Sequence, residues 1–422
     1  MNDPEIDVVW HVRILHRMGF DLYFRTCPEK SALASLTFDF TSRRYFTRPA
    51  SEEDIGMKIT VIGGGHGSYA AVADMSGKGH EVVWWRRDHN AFAPLLEAGE
   101  IRVDDHRGQR GVPVGSPGGI TVEADLGRAV AGAEIVIVPI PAFSHPDLAG
   151  RIAPHLTDGQ VVYLPPGSFG SVIFARAMAA VGNPAEVAFA ETGTLPYLAR
   201  RHGDCRVVVS GYATRLPTGV LPAHDSERAL AVLAEIYPVE PVEDALSGAL
   251  MNAGPIIHPP LILMNAGPLQ HFPAWDIHNE GTQDAIRRVT TVLDAERIAL
   301  RTALGYGAPH FPLADHYTPD GDEWMYGNAA HEKLTDSGDW REHIDLHTHR
   351  YMTEDVEIGL ALLTSVGRWA GVPMPVASGL LAIAGAITGR SPDSGGRTLA
   401  TLGLGELDSA GMKQLLQEGF SR

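Results

Sequence analysis

The amino-acid sequence predicts an α/β fold, a doubly wound parallel sheet, followed by an all-helical C-terminal domain. Three observations predict it. A short apolar run, Lys58–Ile62, leads through the glycine-rich turn GGGHGS at residues 63–68 into a small-residue helix. Strand-like and helix-like runs then alternate as far as about residue 246, the pattern of parallel strands joined by crossover helices. Beyond that point few strand signals remain, and apolar patterns of helical length take over. The expected organisation is an N-terminal extension at 1–56, a sheet domain at 57–246 and a helical domain at 247–422.

The extension differs from the rest. Residues 31–50 are rich in Ser, Thr, Arg and Phe without a clear period, and Met57 stands directly before the first strand. It is read as a loosely attached tail or as a start assigned too early, and no function is placed on it.

The turn comprises Gly63, Gly64, Gly65, His66, Gly67 and Ser68. Gly63, Gly65 and Ser68 occupy the three positions of the dinucleotide-binding pattern G-x-G-x-x-G/A. Gly63 allows the tight turn out of the strand. Gly65 lets the backbone approach a pyrophosphate seated on the N-terminal amides of the next helix. Ser68 departs from the pattern, but it is small enough for close packing of helix on strand. A helix over 69–77 and a second strand, Glu81–Trp85, complete a Rossmann unit. That strand ends in Arg86 and Arg87, where an acid would bind a ribose 2′-hydroxyl. Guanidinium groups suit a 2′-phosphate, so NADP is favoured and NAD stays open, with Asp88 as the ribose partner in that case.

Further strands are expected at 120–122, 135–139, 161–164, 187–189 and 206–210, with helices at 147–155, 172–181 and 226–236. Two loops follow strands and are candidate ligand loops: PIPAFSH at 139–145, with Pro141 and Ala142, and PPGSFGS at 165–171. In the second half, helices are expected at 289–304, 354–370 and 374–386, with the catalytic cleft between the two domains.

Composition narrows the function classes. The chain has 422 residues, enough for two domains, with 34 basic and 51 acidic side chains and a formal charge of −17. Nucleic acid and anionic membranes are therefore unlikely partners in electrostatic terms, and no apolar run is long enough to cross a bilayer. Only Cys27 and Cys205 are present, without metal-ligand spacing and without a signal peptide, which places the chain in a reducing cytoplasm with no metal. The helical domain offers surface for a homodimer, though no residue fixes one.

Two constellations in the helical half can carry chemistry. In LMNAGPIIHPPLILMNA at 250–266, His258 stands just ahead of a proline pair that can start a helix. It reads equally as a proton donor and acceptor or as a buried histidine satisfied by a carbonyl. In RYMTED at 350–355, Thr353 can cap a helix whose first turn holds Glu354 and Asp355, with Arg350 on the surface. The functional reading pairs a carboxylate with the imidazole, fixing its tautomer and raising its pKa, and uses Arg350 as a fork for a substrate carboxylate.

From Met57 to its end the chain resembles the opine dehydrogenase family, the octopine and nopaline dehydrogenases and their bacterial relatives. Segments in the same order carry the resemblance: GGGHGS, Pro141-Ala142, PPGSFG, Glu191-Thr192, NAGPIIHP at 252–259, Glu280-Gly281, DAERIAL at 294–300, RYMTED, and GGRTLATLGL at 395–404. It implies a Rossmann domain followed by a helical domain and an NAD(P)-dependent reductive joining of an α-keto acid, such as pyruvate, to the amino group of an amino acid. It also implies His258 as catalytic histidine, Asp355 as its carboxylate partner, Arg350 as substrate-carboxylate arginine and Asn252 as a substrate-side asparagine. Arg86 departs from the acid of NAD-using relatives. Residues 318–340 vary most against the family, and such loops are where amino-acid choice would be set. Two other readings stand: a simple keto-acid reductase of the ketopantoate reductase or glycerol-3-phosphate dehydrogenase type, and a nucleotide sensor without chemistry.

Overall fold

The structure is a computed structural model and describes residues 56–336, 338–391 and 396–420. The extension at 1–56 lies outside these residues except for Gly56, as does Cys27.

An eight-stranded sheet forms the first half. Its strands are β1 (Lys58–Ile62), β2 (Glu81–Trp85), β5 (Thr121–Val122), β6 (Ile135–Ile137), β7 (Val161–Leu164), β8 (Ala188–Thr192), β11 (Leu216–Leu221) and β12 (Val239–Pro241). The order is β12-β11-β8-β7-β6-β1-β2-β5. All neighbours pair in parallel except β11, which runs antiparallel to β8. The strands are apolar on both faces because both are covered. Ile59, Val61, Trp84, Ile135 and Tyr163 pack into one cluster, and Ile62, Val83, Trp85, Val136 and Val162 into the other. The order reverses at β1, flanked by β2 on one side and β6 on the other. The loops after β1 and β6 therefore open a crevice at the switch point.

A second sheet was not expected. It has the order β4-β3-β10-β9, built from β3 (Glu100–Asp105), β4 (Gly108–Pro113), β9 (Tyr197–His202) and β10 (Arg206–Tyr212). The strand expected at 206–210 belongs to it rather than to the main sheet. It brings Leu198 and Arg200 towards the cleft described below.

Helices α1 (His66–Gly77), α2 (His145–Ile152) and α3 (Gly170–Ala180) follow β1, β6 and β7, and α4 (Ser226–Ala234) follows β11. The second half contains α5 (Gly254–Met264), α6 (Asp284–Ala303), α7 (Ala330–Asp336), a wide helix α8 (Tyr351–Leu360), α9 (Ala361–Ala370), α10 (Pro375–Thr388) and α11 (Ser409–Glu418). Its β-structure among the described residues is one short ribbon, Trp275–Asp276 against Arg341–Glu342. No helix among the described residues is long and apolar enough to cross a membrane.

Two local expectations are corrected. Pro259 and Pro260 lie inside α5, so His258 sits one turn into the helix and Pro255 is at its start. Thr353 does not cap the helix around it. That helix begins at Tyr351, and the Thr353 hydroxyl donates to His349 O, 3.4 Å.

Candidate active site

The crevice begins at the glycine turn. Gly63 adopts φ +113°, which an L side chain rarely tolerates, and a Cβ there would also come within 2.7 Å of Ile140 Cγ2. A Cβ at Gly65 would meet nothing, so the amides opening α1 face open space. Ser68 is fully buried and its hydroxyl donates to Ile62 O at 3.4 Å, which accommodates the departure from glycine. A groove of about 240 Å³ continues past Gly63 and Gly64 to Arg86, Arg87, Asp88 and, from α2, Arg151. The Arg86 guanidinium lies against Gly64 and donates to Ala91 O at 3.0 Å. Arg87 is exposed. A tight glycine turn, free helix amides and three guanidiniums along one groove fit a dinucleotide carrying a phosphate on its ribose.

A second cavity, also about 240 Å³, adjoins the groove; both are lined by Ile140 and Pro141. Its walls include Gly65 and His66 from the nucleotide side, and Asn252, His258, Arg350, Glu354 and Asp355 from the helical side. His258 Nδ1 lies 2.8 Å from Asp355 Oδ2, and the imidazole stacks on Tyr351 with ring centres 3.9 Å apart. An ionised Asp355 accepts from Nδ1–H, which leaves Nε2 as the ring nitrogen open to the cleft. The approach is close because position 254 is glycine: a Cβ there would collide with Asp355 Oδ1.

The electrostatics depart from one expectation. Burial and the neighbouring Arg350 cation hold His258 well below its ordinary 6.5, so the imidazole is neutral rather than raised in pKa. Burial pushes Asp355 up to about 7 against the pull of Arg350. Burial and Asp355 push Glu354 up to about 7 as well. Arg350 stays charged: burial opposes its charge, but Tyr351, Glu354 and Asp355 prevail and raise its pKa. Its guanidinium lies 4.9 Å from the Tyr351 ring, and no carboxylate among the described residues forms an ion pair with it. His66, whose Nδ1 accepts from Arg201 N–H at 2.8 Å, is lowered to about 4, chiefly by burial and Arg200.

The spacing of these groups follows from the wide turns of α8. In an ordinary α-helix, residues five apart point roughly 140° away from each other. With i→i+5 bonding, five residues come close to one full turn, so Arg350 and Asp355 can serve the same cleft.

Three buried side chains brace the loops beside the cleft. Arg397 donates to Ala142 O at 2.7 Å, Ser168 O at 2.8 Å and Gly167 O at 3.2 Å. Glu354 accepts from Ala142 N–H at 3.1 Å. Glu191 accepts from Phe169 N–H, Ser171 N–H and the Ser171 hydroxyl. These bonds hold Ser168 and Phe169 at φ 49° and 63°, in the left-handed region.

Of the residues singled out from sequence, the structure brings Gly63, Gly64, Arg86, Arg87 and Pro141 to the groove, and Gly65, His66, Pro141, Asn252, His258, Arg350 and Asp355 to the cleft. It does not bring Gly67, Ser68 or Ala142 to either wall. Ala142 is buried with its N–H and C=O engaged by Glu354 and Arg397. Asn252 reaches the cleft, but Nδ2 donates to Ser168 Oγ at 2.8 Å and Oδ1 accepts from Gly254 N–H at 3.0 Å, which makes it a brace between halves. No role was given from sequence to Tyr351, His278, Arg151, Glu191 or Arg397. Glu191, an acid closing an apolar strand, and Arg397, in the segment GGRTL, carried a signal; His278 and Arg151 carried none.

Fold and site together define the class: an NAD(P)-dependent oxidoreductase with a Rossmann-type domain followed by a helical domain. Residues 241–388 match the family described as NAD/NADP octopine/nopaline dehydrogenase, alpha-helical domain. It is 27% identical over 366 residues to an opine dehydrogenase of Arthrobacter sp. (strain 1C), a match covering 85% of this chain and 98% of the relative. Among solved structures it is similar to octopine dehydrogenase in complex with NADH and agmatine, with a TM-score of 0.63 and 20% identity over 87% of this chain and 99% of the other. It is also similar to NADP+-bound yersinopine dehydrogenase, with a TM-score of 0.61 and 15% identity over 86% and 99%.

Proposed function

We propose that this protein joins an α-keto acid such as pyruvate to the amino group of an amino acid with NADPH, giving an N-(carboxyalkyl)amino acid, and runs the reverse oxidation. The observation that carries this reading is the His258–Asp355 pair beside Arg350, which no carboxylate among the described residues pairs directly, in a cleft that adjoins the nucleotide groove at Ile140 and Pro141. The amine nitrogen attacks the keto carbon, and loss of water from the adduct leaves a C=N bond. When bound, the reduced nicotinamide supplies the hydride that reduces its carbon. His258 Nε2 takes a proton from the substrate ammonium, which frees the amine to attack, and returns it to the hydroxyl that departs as water. Asp355 holds the imidazole in its tautomer, and Arg350 forks one substrate carboxylate. Gly63 to His66 seat the pyrophosphate, and Arg86 and Arg87 favour the 2′-phosphate of NADP over NAD.

The same reading divides the chain at 246/247 into a dinucleotide-binding domain and a helical substrate domain, preceded by the extension at 1–56. It places the protein in the cytoplasm, supported by its two cysteines, and as a homodimer through the helical half. A simple keto-acid reductase would need only one carbonyl substrate. Among the described residues no lysine lines the cleft to polarise one.

The test follows NADPH and NADH oxidation at 340 nm with pyruvate and pooled amino acids, separately and combined. Oxidation that requires both substrates is the expected result. Oxidation with pyruvate alone would make the protein a simple reductase.

A further inference from the structure

The cleft wall changes character beyond His258. The imidazole stands 5.7 Å from the His278 ring, and His278 stands 5.2 Å from Trp340. From there the lining is Leu195, Leu198, Trp324, Tyr326 and Leu334. Four of this group, Trp324, Tyr326, Leu334 and Trp340, come from the segment at 318–340, where the chain varies most against the family it resembles. The one hydroxyl among them is already used: Tyr326 Oη donates to Leu195 O at 2.6 Å and lies 3.1 Å from Thr194 Oγ1. Besides histidines and tyrosines, the ionisable side chains of the cleft lining among the described residues are Arg350, Glu354 and Asp355, all on α8 or directly before it. His278 and His316, which stand among the aromatic residues, are held neutral by burial.

We propose, resting on the joining reaction above, that the amino acid taken by this site carries an uncharged apolar side chain, aliphatic or aromatic, received by Leu198, Trp324, Leu334 and Trp340. A guanidinium or ammonium group against these four residues would lose its water and gain no carboxylate from them, since the two that line the cleft are on α8. A cation over an aromatic ring is the usual escape, but the Trp340 ring is already covered by Arg200, whose guanidinium carbon lies 3.9 Å from its centre. An added cation would also meet the charge of Arg200. A side-chain carboxylate fares no better, because Arg200 is engaged by Glu342 at 3.0 Å and does not line the cleft. Arg350 is reserved for one of the two carboxylates that every substrate pair carries. An apolar side chain, in contrast, replaces water against four largely apolar surfaces and brings no polar group of its own that needs a partner.

The experiment measures kcat/KM with NADPH and pyruvate for L-leucine, L-methionine and L-phenylalanine against L-arginine, L-lysine, L-aspartate and L-glutamate. The apolar set is expected to exceed the charged set by about tenfold or more. A charged amino acid that matches or exceeds them overturns the inference and leaves the joining reaction standing. The absence of amine-dependent oxidation with every amino acid overturns the joining reaction itself. Leu334→Glu places a carboxylate on the apolar wall and is expected to shift the ratio of L-arginine to L-leucine turnover upward by about tenfold. Leu334→Ala, which adds no charge, is expected to lower turnover of L-leucine relative to L-alanine with NADPH affinity unchanged. If both variants bind NADPH normally and keep the wild-type ratios, Leu334 does not read the side chain.

Discussion

The nucleotide groove and the catalytic cleft adjoin at Ile140 and Pro141, yet they handle charge in opposite ways. In the groove two of the three cations are solvated: Arg87 is exposed, and Arg151 lies 3.9 Å from Asp147 with 43% of its side chain accessible, while Arg86 is half-buried. In the cleft, Glu354 and Asp355 are buried, and the groups around them are placed by specific bonds. Exposed guanidiniums change ligand preference with little strain on the fold. Buried groups hold reacting atoms in place, and their loss is felt in the reaction or in the folded state.

That contrast can be broken at its strongest point first. His258→Ala is expected to lower kcat by roughly two to four orders of magnitude while the Kd for NADPH, measured by fluorescence titration, stays within about threefold. A variant that keeps most of its turnover would remove His258 from the chemistry and make the cleft no different in kind from the groove. A smaller effect is expected on the groove side. Arg86→Ala should raise KM for NADPH by about tenfold and KM for NADH by much less, with kcat preserved. Equal changes for both cofactors would show that Arg86 serves only Ala91 and the local fold.

The smallest effect lies in stability. Burial raises Glu354 from 4.5 to about 7, so the folded chain keeps a proton that the unfolded chain releases between those values. The stabilisation linked to that proton is complete below about pH 4.5 and is lost as pH rises through about 7. Glu354→Gln keeps an acceptor for Ala142 N–H but cannot ionise. Its Tm relative to wild type should therefore rise between pH 4.5 and pH 8 by a few degrees, on the order of 3 °C, in differential scanning fluorimetry. A difference that is flat with pH would mean that Glu354 titrates as an ordinary carboxylate.

Much of the sheet was legible in the sequence because β1, β2 and β7 are short apolar runs buried on both faces, and such runs need no partner to be recognised. The second sheet was not. Its strands EIRVDD and YLARRH mix charge with apolar residues, and β3 finds β10 about a hundred residues away. The wide turns of α8 escaped for a different reason: a search for 3.6-residue periodicity cannot see i→i+5 bonding, although that bonding lets Arg350 and Asp355 share a cleft. His258 and Asp355 lie 97 residues apart, and the residues alone left each open between a structural and a chemical part. Their pairing was named through family resemblance. The lowered pKa of His258 could not be read at all, because it depends on how deeply the ring is buried.

Arg397 adds a consequence in time. Its guanidinium bonds Gly167 and Ala142 across separations of 230 and 255 residues. During synthesis the main sheet can assemble from contacts among the first half of the chain, as domains generally do while the remainder is still being made. In that interval the loops after β6 and β7 lack the Arg397 bonds, while Glu191 already stands opposite the loop after β7. The two loops that flank the cofactor crevice are therefore fastened in part by a side chain synthesised long after the sheet they extend from.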